Sequence, residues 1–194
     1  MQTRRNFIGN VATGIGSLAT GGVLGANERV RIGVIGVGER GTQLAREAAA
    51  CPGTELAAFA DVYSRRLEDA KKLGANAQTF ADYRQMLDDK SIDAVLIATP
   101  HHLHAESFMA ALDAGKHVYQ EKTMAFTVED AKAMRAAYVR AGKRAVQIGH
   151  QQCSSGQVLD AKNYLASGSV GKVTAIQGRM FRNTAYCYAQ LQGA

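Results

Sequence analysis

Two opposite charges stand side by side at the end of a short strand-like segment. Residues 117–120 read HVYQ, and Glu121 and Lys122 follow them directly. Because neighbouring strand residues point to opposite faces, these two side chains are not expected to form a simple surface ion pair. A lysine ammonium in a crevice can stabilise negative charge that develops on a reacting oxygen. Lys122 is therefore a candidate functional residue, and the alternative is a structural lysine that pairs with an acid on a neighbouring loop.

A glycine-rich turn near the start of the chain is the second candidate. Gly36, Gly38 and Gly41 fit the pattern G-x-G-x-x-G, with Glu39 and Arg40 before the last glycine. The turn follows a predicted strand and opens a predicted helix, which is the context of a dinucleotide-binding site. The first glycine permits the tight turn, the second lets the backbone approach a pyrophosphate, and the third lets helix and strand pack closely. All five residues are predicted to bind the cofactor.

An acidic residue stands where such a site needs one. Asp61 ends the second predicted strand, 20 residues after Gly41, where a carboxylate can hydrogen-bond a ribose 2′-hydroxyl. The same charge would repel a 2′-phosphate, which favours NAD as the cofactor. Arg65 and Arg66 follow closely and could reach a phosphate, so NADP stays open.

The elements that must position these residues alternate between strand and helix patterns. This alternation predicts an α/β fold, a doubly wound parallel sheet with helices on both faces. The helix that follows Lys122 is expected to begin at Thr127, with Glu129 and Asp130 in its first turn. The predicted strands cover residues 30–35, 55–60, 78–80, 94–98, 117–120 and 145–148.

Ligands of a doubly wound sheet bind beyond the carboxyl ends of its strands, so residues at those positions are candidates. A zinc site in the sequence HHLH is disfavoured, because no carboxylate or cysteine completes the set and a helix N-terminus repels cations. No metal is predicted, and this loop is expected to cover the cofactor instead. The additional cofactor-binding candidates are Thr99, Pro100, His101, His104, Glu121 and Gln151.

The first 26 residues are typical of a leader. Arg4 and Arg5 precede an uncharged run over residues 7–26, which contains six glycines and is too polar for a stable membrane span. The segment resembles a twin-arginine (Tat) export signal with cleavage after Ala26, which implies a periplasmic or exported protein. The alternative is a disordered N-terminus with two chance arginines.

Net charge argues against nucleic acid as a partner. The formal charge is +6, and the chain from Asn27 onward carries 21 basic and 17 acidic side chains. This mild excess is not concentrated in a basic cluster.

The order of these segments resembles the glucose–fructose oxidoreductase/inositol dehydrogenase (Gfo/Idh/MocA) family. The matching stretches are GVIGVGERG, FADVYSRR, ATPHHLHAESFMAALDAGKHVYQEK and VQIGHQQ, and the resemblance spans roughly residues 29–182. It implies a Rossmann domain over residues 27–150 and the start of an α/β substrate domain over residues 151–194. In the family that second domain often forms a dimer or tetramer interface, so a homo-oligomer is expected where it is complete.

The resemblance also implies an activity, an NAD(P)-dependent transfer of hydride between nicotinamide and a sugar or polyol. Lys122 would then lie near the reacting carbon and Glu121 near the nicotinamide ribose. An NAD-dependent glycosidase of the α-N-acetylgalactosaminidase type stays open, because that branch resembles the chain in its leader and in the turn around Arg40. A third possibility is a nucleotide-binding fragment without catalysis.

The sequence departs from the family in three places. Thr123 replaces a proline whose preceding bond is typically cis, and since a non-proline cis bond costs roughly 3 kcal/mol, a trans bond with Lys122 aimed differently is expected. The segment Gly149, His150, Gln151 and Gln152 stands where many members carry an arginine soon after the sixth strand. The histidine and aspartate of the second domain would lie beyond Ala194. Residues 172–182 read as a strand without a partner, so the second domain is expected to be cut off or completed by another chain.

Overall fold

A computed structural model describes residues 29–151 and 153–178 of the chain. The chain divides between Ser155 and Gly156 into two compact units, and each is described by itself. The strands of the first unit are β1 (Val30–Ile35), β2 (Thr54–Ala60), β3 (Gln78–Phe80), β4 (Ala94–Ile97), β5 (His117–Glu121) and β6 (Val146–Gly149). Its helices are α1 (Glu39–Ala49), α2 (Ser64–Lys71), α3 (Tyr83–Asp88), α4 (His104–Asp113) and α5 (Val128–Ala141), with a short 3₁₀ helix at His101–Leu103.

The six strands form one parallel sheet in the order β3-β2-β1-β4-β5-β6. The strand order reverses between β1 and β4, which is the switch point where open α/β sheets bind ligands. Ile35, the last residue of β1, pairs with Ile97, the last residue of β4. The carboxyl ends of neighbouring strands therefore lie at one edge, and the predicted doubly wound sheet is confirmed.

Helices cover both faces of this sheet and bury two apolar clusters. On one face, Val34 and Phe59 pack with Ala45 of α1 and Ala70 of α2, all at most 2% exposed. On the other face the buried side chains come from α3, α4 and α5 together with the sheet, and they include Met86, Phe108 and Met134. Burial on both faces explains why the strand sequences read as nearly continuous apolar runs.

The loop between β5 and α5 ends at a well-defined helix start. Thr127 Oγ1 accepts a hydrogen bond from the Asp130 N–H at 3.1 Å, and Asp130 Oδ2 accepts one from the Thr127 N–H at 3.2 Å. This reciprocal capping satisfies two backbone donors that a helix terminus leaves free. The predicted helix start is confirmed, and it fixes one end of the segment that carries Lys122.

The second unit is described over α6 (Gly156–Ala166) and the residues up to 178. The predicted strand over residues 172–182 is wrong in its described part, because residues 172–178 have no regular secondary structure. A strand needs a neighbour to satisfy its backbone groups, and none pairs with this segment among the described residues. The rest of that predicted strand and the leader over residues 1–26 lie outside the described residues. No described helix is long and apolar enough to cross a membrane.

Candidate active site

The glycine turn brings helix α1 directly against the end of β1. Gly36 has φ +82°, and a Cβ atom there would lie 2.9 Å from the Ala98 carbonyl oxygen. A Cβ atom on Gly41 would lie only 1.8 Å from the Gly36 carbonyl oxygen. A side chain at Gly41 is therefore excluded by the fold itself, as the close-packing role of the third glycine requires.

Gly38 differs from these two glycines, because the protein around it leaves space. It is the N-cap of α1 with φ −65°, which any residue can adopt. The nearest atom to a Cβ there would be Arg66 Nη1 at 3.8 Å, an ordinary contact with a flexible side chain. The fold therefore does not require a glycine at this position, whereas the close approach of a pyrophosphate to the backbone would.

Asp61 lies beside this turn and is held by backbone donors. Its Oδ2 accepts a hydrogen bond from the Val37 N–H at 2.9 Å, and its Oδ1 accepts one from the Tyr63 N–H at 2.9 Å. A cavity of about 410 Å³ lies beside the glycine turn and is lined by Gly38 and Arg66, among others. Asp61 thus fixes the glycine turn and remains partly exposed.

His104, at the start of α4, joins the loops that follow β4 and β5. The side chain is fully buried, with Nδ1 2.7 Å from the Thr123 carbonyl oxygen and Nε2 2.9 Å from the Thr99 carbonyl oxygen. A direct contact of this ring with the cofactor would require it to leave these positions. His101 packs edge-on against it, with the ring centroids 5.4 Å apart. Pro100 and His101 are exposed on the loop, as a covering role requires.

Lys122 is exposed directly after β5, and its peptide bond to Thr123 is cis. The expected trans geometry is therefore wrong. Tertiary hydrogen bonds override the intrinsic preference here, because His104 contacts the Thr123 carbonyl and Gln120 Nε2 donates to the Met124 carbonyl oxygen at 2.7 Å. The His104 and Gln120 side chains are fully buried, so the loop around Lys122 is fixed by hydrogen bonds from the protein interior. Residues 122–126 are called the lysine loop below.

Glu121 is buried and carries an ion pair that connects it to the glycine turn. Arg40 Nε and Nη2 lie 2.8 and 2.7 Å from Glu121 Oε1, and the Tyr119 hydroxyl donates to the same oxygen at 3.4 Å. Burial alone would lower the pKa of Arg40, but the hydrogen bond and charge of Glu121 outweigh it and raise that pKa. Burial and the Glu121 charge raise the pKa of Tyr119. These shifts favour the charged form of Arg40 and the neutral form of the Tyr119 phenol.

The structure brings most of the predicted residues to one edge of the sheet but gives several of them protein partners. Glu39 and Gln151 are exposed, and no hydrogen bond joins either to the other candidates among the described residues. Sequence reasoning missed Tyr119 and Gln120; the two-residue alternation of a strand would have placed Tyr119 on the same face as Glu121. Within the described ranges, no three His, Cys, Asp or Glu side chains group closely enough to hold a metal ion.

The site fits a dinucleotide in two independent ways. Gly38 leaves open space next to the first backbone N–H groups of α1, which are the donors that bind phosphates at a helix start. The Thr99 hydroxyl is buried and has no hydrogen-bond partner among the described residues. A polar group that loses water without gaining a partner is unfavourable, and a bound ligand beyond β4 would supply one.

Comparison with known proteins agrees with this geometry. Residues 30–150 match the model of the GFO_IDH_MocA oxidoreductase family, whose members share an NAD-binding Rossmann fold. The chain belongs to this family. The Gfo/Idh/MocA assignment confirms the resemblance drawn from the motifs, and with it NAD as the cofactor of the fold.

The individual relatives include inositol and levoglucosan dehydrogenases. The chain is 32% identical to inositol 2-dehydrogenase of Salmonella typhimurium over 154 residues, covering 78% of this chain and 46% of that protein. It is 38% identical to levoglucosan dehydrogenase of Pseudarthrobacter phenanthrenivorans over 57% of this chain and 28% of that protein. The chain thus spans at most about half the length of these relatives.

A solved structure supports the fold match. The crystal structure of scyllo-inositol dehydrogenase from Lactobacillus casei, with bound NAD(H) and scyllo-inositol, superposes with a TM-score of 0.72 at 29% identity. The match covers 75% of this chain and 43% of that one.

The role of Gly38 gives a direct test of the cofactor site. Gly38→Ala should lower NAD affinity at least about tenfold, because the added methyl occupies the space that a pyrophosphate needs. The free energy of unfolding should change by no more than about 1 kcal/mol, the usual cost of alanine at an N-cap. Calorimetric NAD titration and urea unfolding measure the two effects.

Two further glycine variants serve as controls for that test. Gly156→Ala meets no atom within 4 Å and should leave both NAD affinity and stability unchanged. Gly41→Ala should damage the fold itself, because the new methyl would collide with the Gly36 carbonyl. Unchanged NAD affinity in Gly38→Ala would show that the pyrophosphate does not approach this turn.

Proposed function

We propose that this chain is the cofactor-binding part of an NAD-dependent oxidoreductase that oxidises a sugar or polyol. The observation that carries the proposal is an exposed lysine held at the carboxyl end of β5, at the same edge of the sheet as the glycine turn. The relatives named above, dehydrogenases of inositol and levoglucosan, support this substrate class.

The chain's own residues divide the work of such a reaction. When bound, NAD would supply the acceptor for the hydride that leaves the substrate carbon. Backbone N–H groups at the start of α1 would hold the pyrophosphate. Lys122 Nζ would hydrogen-bond the substrate hydroxyl and, as the neutral amine, accept its proton while the hydride leaves the carbon; the ammonium that forms would stabilise the negative charge developing on that oxygen. Glu121, fixed by Arg40, would face the nicotinamide ribose.

Two alternative functions, a glycosidase and a nucleotide-binding fragment without catalysis, predict different reaction products. An NAD-dependent glycosidase would release free sugar from a glycoside without net NADH, whereas a dehydrogenase accumulates NADH. A nucleotide-binding fragment would bind NAD and turn over neither kind of substrate. Absorbance at the NADH band, measured beside sugar release on one panel of substrates, separates the three.

The lysine gives the sharpest test of the oxidoreductase proposal. Lys122→Met should lower kcat for NADH formation at least about a hundredfold, the lower range for loss of a proton-transfer group. NAD affinity should change little, because the cofactor is held mainly by the glycine turn. Stopped-flow absorbance and NAD titration report the two quantities.

Lys132→Met provides the matched control, since Lys132 is an exposed lysine on α5, the next helix along the chain. It should retain the activity of the unmodified protein. An unchanged kcat in Lys122→Met would show that Lys122 takes no part in the reaction.

We also infer a preference for NAD over NADP, which Asp61 supports. Asp61→Ala should weaken NAD binding about tenfold, the scale of one charge-assisted hydrogen bond, and should weaken NADP binding far less. Asp160→Ala, a change of an exposed aspartate in α6, should alter neither affinity. Equal losses for the two cofactors would mean that Asp61 only supports the glycine turn through Val37.

We propose further that residues 1–26 direct export by the twin-arginine route. The support is the pair Arg4 and Arg5 before an uncharged, glycine-rich run. Changing both arginines to lysine should abolish appearance of the protein in the periplasmic fraction, measured by immunoblot against a Sec-exported control. Undiminished export of that variant would refute the assignment.

A further inference from the structure

Arg40 leaves the glycine turn and reaches the end of a strand two positions away in the sheet. It is the second residue of α1, yet its guanidinium contacts Glu121 at the end of β5. Strand β4 lies between β1 and β5, so the side chain passes beyond the carboxyl end of β4. The contact therefore lies at the carboxyl edge of the sheet, beside the change of strand order where open α/β sheets bind ligands.

The carboxylate end of this contact is fixed more rigidly than a surface ion pair would be. Glu121 is 5% exposed, and the Tyr119 hydroxyl donates to the same Oε1 that Arg40 contacts. The hydroxyl in turn occupies space left by Gly149, where a Cβ atom would lie 2.3 Å from it. Residues of α1, β5 and β6 thus set the position of one carboxylate oxygen.

The second oxygen of this carboxylate is available to a ligand. Every hydrogen bond that Glu121 accepts from the described residues is to Oε1, and none is to Oε2. An ionised carboxylate accepts bonds at both oxygens. A ribose hydroxyl near the end of β5 is a donor of the kind that Oε2 can accept.

We propose that the Arg40–Glu121 pair ties the glycine turn to the lysine loop and makes Arg40 a positioning residue for the nicotinamide half of NAD. The proposal rests on NAD binding at this edge of the sheet and deepens the proposed function. The turn fixes the adenosine diphosphate half, and the end of β5 faces the other half. Only the complete dinucleotide contacts both the glycine turn and the end of β5. The Arg40–Glu121 pair should therefore affect the affinity for NAD and not the affinity for ADP.

Two simpler roles for Arg40 make different predictions. If its charge only attracts phosphate, losing the pair should weaken ADP and NAD equally, since both carry the diphosphate. If the pair only stabilises the fold, the variants should melt earlier but bind NAD normally once folded. Comparing ADP with NAD therefore separates a positioning role from both.

The experiment uses the full chain with Arg40→Lys, Glu121→Gln and the double variant. Lysine keeps the positive charge but cannot place two N–H groups on Oε1, and glutamine keeps the shape of glutamate without its charge. Calorimetry with NAD and with ADP gives the affinity ratio for each protein. Arg135→Lys, at an exposed arginine of α5, is the matched control and should keep the ratio of the unmodified chain.

We expect each single variant to lower NAD affinity about tenfold or more while ADP affinity stays nearly constant, the scale for losing one charge-assisted hydrogen bond. The double variant should be no weaker than the weaker single one, because both changes remove the same interaction. Thermal melting checks that each variant is folded. Should Glu121→Gln fail to fold, Arg40→Lys alone decides, since Arg40 is the more exposed partner.

Equal losses of ADP and NAD, additive losses in the double variant, or an unchanged NAD-to-ADP ratio would each overturn the proposal. Absence of NAD binding in the unmodified chain would instead overturn the cofactor assignment on which it rests. Binding of NAD with the predicted ratio change supports the tie whether or not the chain turns over a sugar, because the ratio is measured from binding alone.

Discussion

The close packing of helix α1 on the end of β1 is the constraint on which the site depends. With only 1.8 Å between a Cβ at Gly41 and the Gly36 carbonyl, no other residue fits, and this contact sets where α1 begins. The position of the helix start allows the Val37 N–H to donate to Asp61 and the Arg40 side chain to reach Glu121. It also sets the position of the Gly38 backbone, which we propose to bind a phosphate. A small change in the helix start would therefore disturb both halves of the site together.

The lysine loop depends on a second set of contacts, which come from buried polar side chains. His104 and Gln120 are fully buried and reach the backbone oxygens of Thr123 and Met124. Buried polar groups need such partners, so these contacts hold the loop in one arrangement. Lys122 can then remain exposed on a loop whose backbone is fixed, which suits the catalytic role that we propose for it.

The order and type of elements followed from the sequence because they depend on local patterns. Strands 30–35 and 78–80 were predicted at their observed limits, and the parallel sheet followed from β–α alternation. The geometry at Lys122–Thr123 could not be predicted in this way, since contacts from His104, 19 residues away along the chain, fix the loop. The Arg40–Glu121 pair is separated by 81 residues and becomes visible only when the sheet order is known. The strand expected at residues 172–182 is not formed in its described part, because none of the described strands pairs with it.

We propose that a single bound dinucleotide reaches from the glycine turn to Lys122 in one crevice. A crystal structure of the protein with NAD is the decisive measurement. We expect the pyrophosphate on the backbone at Gly38, the adenosine ribose at Asp61 and the nicotinamide ring beside Lys122. A nicotinamide ring turned away from Lys122, or a cofactor bound elsewhere, would contradict it.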